Sequence, residues 1–116
     1  MLLSEIVKLI DGKKLWDFEN RDCKIAGASD MLSELLALAK ENMVLITGLC
    51  TPQMVKTADI VGVGAIIVVR GRQVPEVTVQ TAKDMKIPIV STSLTMYTTC
   101  GKLFCAGLED VHGIRK

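Results

Sequence analysis

Two arginines that flank a glycine are the residues of this chain best suited to bind a ligand. Arg70, Gly71 and Arg72 follow directly after the apolar run of residues 65–69. Two guanidinium groups at such a position bind a phosphate or a carboxylate through paired, charge-assisted hydrogen bonds. The glycine allows the sharp backbone turn that would bring them together. The alternative interpretation is that both arginines are solvated charges of an ordinary surface loop.

Small polar residues follow two other apolar runs of the chain. One run begins at residue 44 and leads into Thr47 and Gly48, and another begins at residue 87 and leads into Ser91. Free N–H groups at the start of a following helix would add to anion binding. The predicted ligand site therefore consists of Thr47, Gly48, Thr51, Arg70, Gly71, Arg72, Ser91, Thr92 and Ser93. Helix capping and turn formation are the alternative roles of its hydroxyl residues.

Three strands are needed to bring these residues together. The runs 44–47, 65–69 and 87–91 are unbroken and mostly β-branched, which is typical of strands buried on both faces of a sheet. A helical pattern follows each run, so we expect right-handed crossovers between parallel strands. Open sheets of this kind bind ligands at the carboxyl ends of their strands. The predicted fold class is α/β, with three layers (α/β/α) and a mostly parallel central sheet built from consecutive βα units.

The first half of the chain supplies further elements of the same domain. Its pattern predicts a helix over residues 4–10 and short strands over 14–18 and 23–28. A second helix is predicted to begin at Ser29 or Asp30, because both residue types are common N-caps.

The end of the chain is predicted to consist of one helix and a tail. Residues 94–106 form the helical pattern, and Tyr97 and Phe104 lie on its apolar stripe. Residues 109–116 are polar and are predicted to be flexible. We expect a single domain that spans residues 1–116.

The composition excludes several classes of partner. A net charge of +1 and an aromatic content of 3% argue against nucleic acid, which favours basic surfaces and stacking platforms. No apolar stretch approaches the roughly 20 residues that span a membrane, and no leader pattern begins the chain, so we expect a cytoplasmic protein. A hydrophobic content of 49% in so short a chain favours a subunit interface. We predict a two-fold homodimer with Met31, Leu32, Met54 or the last helix at its interface.

The sequence lacks the patterns of common catalytic and metal sites. The four cysteines form no CxxC pair, and His112 is the only histidine, so no metal ligands are predicted. The glycines of Gly62-Val63-Gly64 precede a strand instead of following one, which indicates a turn and not a nucleotide loop. We therefore predict no catalytic residues, no cofactor and no enzymatic activity. A small enzyme that uses Cys50, located between a strand end and a helix start, is the weakest alternative.

An ordered set of short motifs extends through nearly the whole chain. It comprises Arg21 and Gly27, Ser29-Asp30, Gly64-x-Ile66-Ile67, Gly71-Arg72-x-x-Pro75, Ile87-Pro88-Ile89 and Gly101-Lys102-Leu103. The set resembles the stand-alone DRTGG-domain proteins, which are similar to the N-terminal domain of HPr kinase/phosphorylase without its kinase domain. The namesake motif is degraded here, and Arg21, Gly27, Ser29 and Asp30 are its remnant. The resemblance implies a regulatory, dimer-forming domain, of a type associated with iron-only hydrogenase operons.

Two functions fit these observations. The first is a non-enzymatic regulatory module that self-associates and binds a small anion, a nucleotide or a phosphorylated metabolite at the carboxyl edge of the sheet. The second is an assembly or scaffold module for a protein partner, such as a hydrogenase-related complex, with no small-molecule ligand. A ligand screen distinguishes the two.

Overall fold

Helices and short strands alternate along residues 1–113, which are the residues that this computed structural model describes. In chain order the elements are α1 (Leu3–Leu9), β1 (Lys13–Lys14), β2 (Ile25–Ala28), α2 (Leu32–Leu38), β3 (Val44–Thr47), α3 (Pro52–Val61), β4 (Ala65–Val68), α4 (Glu76–Asp84), β5 (Ile89–Ser91), α5 (Met96–Cys105) and β6 (Glu109–Asp110). The predicted strands at β3, β4 and β5 are confirmed, with β4 and β5 slightly shorter than expected.

The six strands form one sheet in the order β1-β5-β4-β3-β2-β6. All neighbouring pairs are parallel except β1 and β5, which are antiparallel. The register places Thr47 beside Val68 and Val68 beside Ser91, so the carboxyl ends of the three central strands lie side by side. The predicted arrangement of adjacent parallel strands is therefore correct. Both border strands, β1 and β6, are only two residues long.

Helices cover both faces of the sheet because the central strands are apolar on both faces. Within β3, the side chains of Val44 and Ile46 join one core cluster and Leu45 joins the other. Helices α1 and α5 pack on the first cluster, and α2, α3 and α4 contribute to the second. Every residue of β3 and β4 is buried. This is the predicted three-layer α/β/α architecture.

The starts of the three helices that follow the central strands are determined by local sequence. Thr51 caps α3 by accepting the N–H of Met54 at 3.3 Å, with proline at the first helical position. A proline also precedes α4, where Pro75 is the N-cap residue. Helix α5 begins later than predicted, because Thr95 is its N-cap and accepts the N–H of Thr98 at 3.2 Å.

Helix α2 also begins later than predicted. Its N-cap is Met31, whose side chain makes no capping hydrogen bond. The Ser29 hydroxyl accepts the N–H of Met31 at 3.0 Å and closes a small turn, while the Asp30 carboxylate bonds to another loop. The prediction that Ser29 or Asp30 caps this helix is therefore wrong, because both side chains have other partners that the local sequence does not reveal.

Helix α5 turns a different face to the sheet from the one its apolar stripe indicates. Thr99 and Leu103 are buried, whereas Tyr97 is 89% and Phe104 is 56% exposed. Both faces of α5 carry apolar side chains, so the sequence pattern alone does not decide which face is buried. The aromatic face is left on the surface.

A sixth strand forms at the beginning of residues 109–116, for which the sequence predicts a flexible tail. In β6, Glu109 pairs with Ile25 and Asp110 pairs with Ala26. Val111 is only 8% exposed and belongs to the second core cluster. Pairing and burial thus hold residues 109–111, which corrects the prediction for this part. The last part of the predicted tail, 114–116, lies outside the described residues.

Candidate functional site

The loops after the three central strands are joined by backbone hydrogen bonds at the carboxyl edge of the sheet. The N–H of Val69 donates to the carbonyl of Thr47 at 2.9 Å. The N–H groups of Arg70 and Gly71 donate to the carbonyls of Leu94 and Thr92, at 2.7 and 2.9 Å. The structure therefore brings the three predicted polar segments to one edge.

The carboxylate of Asp30 lies in the middle of this edge. Its Oδ1 atom accepts the Gly48 N–H at 2.5 Å and lies 3.5 Å from the Thr47 hydroxyl oxygen. Its Oδ2 atom lies 3.3 Å from Nη1 of Arg70. We call the three donor groups from Thr47, Gly48 and Arg70 the anion cradle. In this structure the cradle holds a carboxylate that belongs to the chain itself.

The backbone around Arg70 is shaped for this contact. Arg70 and Gly71 are both left-handed, with φ of 67° and 63°. This conformation costs a non-glycine residue about 1–2 kcal/mol, and the two N–H bonds from these residues hold it in place. A Cβ atom at Gly48 would overlap the Arg70 guanidinium. Glycine at position 48 thus permits the close approach of the arginine.

The local charges favour the ionised form of Asp30. Partial burial raises its pKa, but the Gly48 N–H and the Arg70 guanidinium outweigh that effect, so the pKa of Asp30 lies below its ordinary value. The side chains of Arg70 and Asp30 are 40% and 42% exposed. Solvent therefore reaches the ion pair, and its contribution to stability is small.

Two of the predicted site residues have hydroxyl groups with structural partners. Thr92 is buried; its hydroxyl donates to the Ile10 carbonyl at 2.7 Å and accepts the Leu94 N–H at 3.2 Å. The hydroxyl of Thr51 caps α3. These contacts match the alternative interpretation of capping and turn formation for both residues.

Three other predicted residues offer groups without protein partners. Ser91 is half-buried, and Arg72 and Ser93 are exposed. Within residues 1–113, none of their side chains makes a hydrogen bond or an ion pair. Gly71 lies close to Ser93, because a Cβ at Gly71 would be 3.8 Å from the Cα of Ser93. Arg72 and Ser93 are thus available to a ligand at the same edge.

Lys13 is a further positive charge at this edge that the sequence analysis missed. The antiparallel pairing of β1 places Lys13 opposite Ser91, the last residue of β5. The signal in the sequence was the pair Lys13-Lys14 directly after the Asp11-Gly12 turn. The sequence does not reveal the role of this pair, because the order of elements along the chain does not show that β1 pairs with β5.

The remnant of the family motif is divided between the two edges of the sheet. Nη1 of Arg21 donates to the Gly64 carbonyl at 2.9 Å, directly before β4 and therefore at the amino edge. Gly27 lies in β2, where an added Cβ would be 2.9 Å from Cε of Met43. Only Asp30, together with the turn at Ser29, lies at the carboxyl edge. The four remnant residues do not form one site.

An open apolar groove lies at the β2–β6 end of the sheet, where α2 and α5 flank the last strands. It encloses about 800 Å³, and its lining includes Leu38, Tyr97, Phe104 and Val111. Leu38 on α2 is 39% exposed. We call this surface the edge groove. One side of the edge groove is formed by α5, the last helix, which the sequence predicts to lie at the dimer interface.

The other residues predicted for the interface are placed differently. Met31 is 58% exposed and Leu32 is partly exposed. Met54 is fully buried in the second core cluster, so its predicted place at an interface is wrong. Met54 lies on the face of α3 that packs against the sheet. The sequence of a short amphipathic helix does not show whether its apolar face contacts the sheet or a partner.

The cysteines do not come together in the structure. All four are free; Cys23 is buried, and burial raises the pKa of its thiol, as it does for Cys100. Cys50 is half-buried, and its carbonyl accepts the Thr78 hydroxyl at 2.8 Å. Within residues 1–113, no three His, Cys, Asp or Glu side chains lie close enough to hold a metal ion.

None of the described helices has both the length and the apolarity to cross a membrane. The longest, α3 and α5, have 10 residues each.

One solved structure with a similar fold contains the CBS and DRTGG domains of the regulatory region of Clostridium perfringens pyrophosphatase, complexed with its activator, diadenosine tetraphosphate. The match has a TM-score of 0.70 and 16% sequence identity, and it covers 98% of this chain and 50% of that chain. The present chain thus spans about half the length of that regulatory region. The DRTGG-like fold that the sequence resemblance predicts is confirmed. No protein-family profile and no curated protein matches the chain.

Proposed function

We propose that this chain is a regulatory module that binds a small anionic ligand at the carboxyl edge of its sheet, associates with a second copy of itself, and has no catalytic activity of its own. The observation that carries the proposal is the anion cradle, which already holds a carboxylate between a backbone N–H and an arginine. A cytoplasmic location remains a prediction of the sequence.

The charges at the edge support an anionic ligand. Lys13 lies at the start of β1, and Arg70 and Arg72 lie in the loop after β4; of the three, Asp30 pairs with Arg70. Several positive side chains near one edge attract an anionic group such as phosphate. The complex of the pyrophosphatase region with diadenosine tetraphosphate makes nucleotides the first class to test.

The test of the ligand proposal is a thermal-shift screen with nucleotides and phosphorylated metabolites, followed by calorimetric titration. A ligand that binds only the folded state raises the melting temperature with increasing concentration. Arg72→Ala should then weaken binding by about 1–3 kcal/mol, because a charge-assisted hydrogen bond is lost. Lys83→Ala is the matched control, since it removes one exposed positive charge from the last turn of α4, near the opposite edge. Equal losses in both variants would contradict a local site.

The edge groove supports self-association. Leu38, Tyr97 and Phe104 expose large apolar side chains around one open surface. Contiguous apolar surface of this kind is characteristic of protein interfaces. A two-fold axis through the groove would cover the same residues in both copies, which is the commonest symmetry of homo-oligomers.

The dimer is tested by light scattering and sedimentation at micromolar concentration. The wild-type chain should have twice the monomer mass, and Phe104→Glu should shift it toward the monomer, because a buried unpaired carboxylate is unfavourable. Ile60→Glu is the control, since Ile60 is 76% exposed on α3 and outside the groove. A monomeric wild type would contradict this part of the proposal.

A protein partner without a small ligand is the second candidate function. It is favoured by one observation: the chain itself already supplies an anion to the cradle, while the apolar edge groove has no cover within residues 1–113. A hydrogenase-related complex is the partner that the sequence resemblance suggests. A screen in which no anion stabilises the protein would support this candidate over the first.

A further inference from the structure

We propose that Asp30 is a built-in competitor for the ligand site, so that an external carboxylate or phosphate binds the anion cradle by displacing the Asp30 side chain. This inference rests on the proposed function, because it takes the carboxyl edge as the place where the ligand binds. It adds a regulatory element, since occupancy of the site then depends on an exchange between two anions.

The geometry shows that Asp30 occupies the position of an anionic ligand. One carboxylate oxygen is bonded to the Gly48 N–H and the other lies 3.3 Å from Arg70 Nη1. A carboxylate or phosphate group of a ligand offers the same pair of acceptors at the same spacing. Both anions cannot occupy the cradle at once, because the N–H and the guanidinium each face the same small volume.

The backbone of the cradle is fixed independently of Asp30. The backbone of Arg70 is held by its N–H bond to the Leu94 carbonyl, and that of Gly71 by its bond to Thr92. The Arg70 guanidinium lies directly over Gly48, where no Cβ is present. The Thr47 hydroxyl, in turn, is held by accepting the Leu49 N–H at 3.1 Å. The Gly48 N–H, the Thr47 hydroxyl and the backbone of Arg70 therefore remain in place when Asp30 leaves, and the Arg70 guanidinium exchanges one anionic partner for another.

The Asp30 side chain is partly exposed to solvent where it contacts the cradle. Asp30 lies in the short connection between β2 and α2, and its side chain is 42% exposed. Helix α2 has seven residues and no side-chain cap at its start. A solvent-exposed ion pair contributes little. An incoming anion has to replace this exposed ion pair and the bond from the Gly48 N–H, and it restores both kinds of contact when it binds.

The test is a titration of the full chain with inorganic phosphate, using Asp30→Ala, Asp30→Asn and the double variant Asp30→Ala/Arg70→Ala. Asp30→Ala empties the cradle, and phosphate should bind about 3- to 10-fold more tightly than to the wild type, because a competitor of modest strength is removed. Asp30→Asn removes the charge but keeps an acceptor beside Gly48, so its gain should be smaller. The double variant should lose the gain. Circular dichroism confirms that each variant is folded.

The Gly48 amide gives a direct signal of the exchange. In the wild type, its resonance in nitrogen–proton spectra should move on addition of phosphate as the bond from Asp30 is replaced. Acetate in place of phosphate shows whether the site also accepts a simple carboxylate, and a response to either anion supports the exchange.

Two results would overturn the inference. One is an affinity of Asp30→Ala no greater than that of the wild type. The other is an equal gain in the Ala and Asn variants, which would assign the effect to charge alone. The nucleotide and metabolite screen on the wild type is independent of both. A wild type that binds such a ligand while Asp30→Ala shows no gain contradicts only the competitor; a gain for phosphate without any such ligand contradicts only the proposed function.

Discussion

Two buried threonines differ in what their hydroxyl groups contact. Thr92 bonds to the Ile10 carbonyl and the Leu94 N–H, and so connects the end of α1 to the end of β5. Thr99 on α5 is fully buried, and its hydroxyl has no hydrogen-bond partner among the described residues. A buried hydroxyl without a partner is unfavourable, whereas one with two partners contributes to stability.

The substitution of threonine by valine should therefore have different effects on stability at these two positions. Thr92→Val should lower the free energy of unfolding by about 1–3 kcal/mol, because it leaves the buried Ile10 carbonyl without its donor. Thr99→Val keeps the shape of the side chain and should leave stability unchanged or raise it by up to about 1 kcal/mol. Urea denaturation followed by circular dichroism measures both. Equal destabilisation would show that the Thr99 hydroxyl has a stabilising contact after all.

The Asp30–Arg70 pair gives stability a defined dependence on pH. Because the pKa of Asp30 is lowered in the folded state, its contribution is fully present above the ordinary aspartate value of about 3.9 and is lost as the pH falls through the folded value. We expect Asp30→Asn to cost less than about 1 kcal/mol at pH 7 and to cost nothing once the carboxyl is protonated. Denaturation is measured at pH 7 and at a pH low enough to protonate Asp30. The same two measurements in an Arg70→Ala background test whether the cost depends on the ion pair. A cost that is unaffected by Arg70→Ala would contradict the pairing.

At the level of elements, the central strands were predictable and their neighbours were not. Unbroken β-branched runs identify β3, β4 and β5, because only strands covered on both faces tolerate them. The faces of α5 were not predictable, since Leu103 and Phe104 are equally apolar and only packing against the sheet distinguishes them. The contact from Asp30 to Gly48 was also hidden, because it depends on the pairing of β2 with β3.

The segment at β6, which the sequence predicts to be a flexible tail, offers a test of its observed burial. Val111→Ala should lower the free energy of unfolding by about 1–2 kcal/mol, because two buried carbon atoms are removed from the second core cluster. Val77→Ala is the matched control, since Val77 is 60% exposed on α4 and surface substitutions usually change stability by less than about 0.5 kcal/mol. Chemical denaturation of both variants provides the comparison. Equal effects would support the flexible tail that the sequence predicts.

For the whole molecule, association should be visible in thermal stability. A dimer that dissociates on unfolding has a melting temperature that rises with protein concentration. We expect this rise for the wild type over a hundredfold range of concentration, and a flat response for Phe104→Glu. Differential scanning calorimetry at several concentrations makes the measurement. A wild-type melting temperature independent of concentration would contradict self-association through the edge groove.

The short strands at the two borders of the sheet limit how copies of this protein can aggregate. A long exposed border strand is a template for fibril growth, because its free N–H and C=O groups recruit further chains. Here each border strand has only two residues, so it offers too few such groups to seed a cross-β stack. The segment most prone to such stacking, residues 65–69, is buried in the middle of the sheet. We therefore expect fibrils of this chain to form from unfolded molecules, so that a ligand or partner that stabilises the folded state also slows fibril formation.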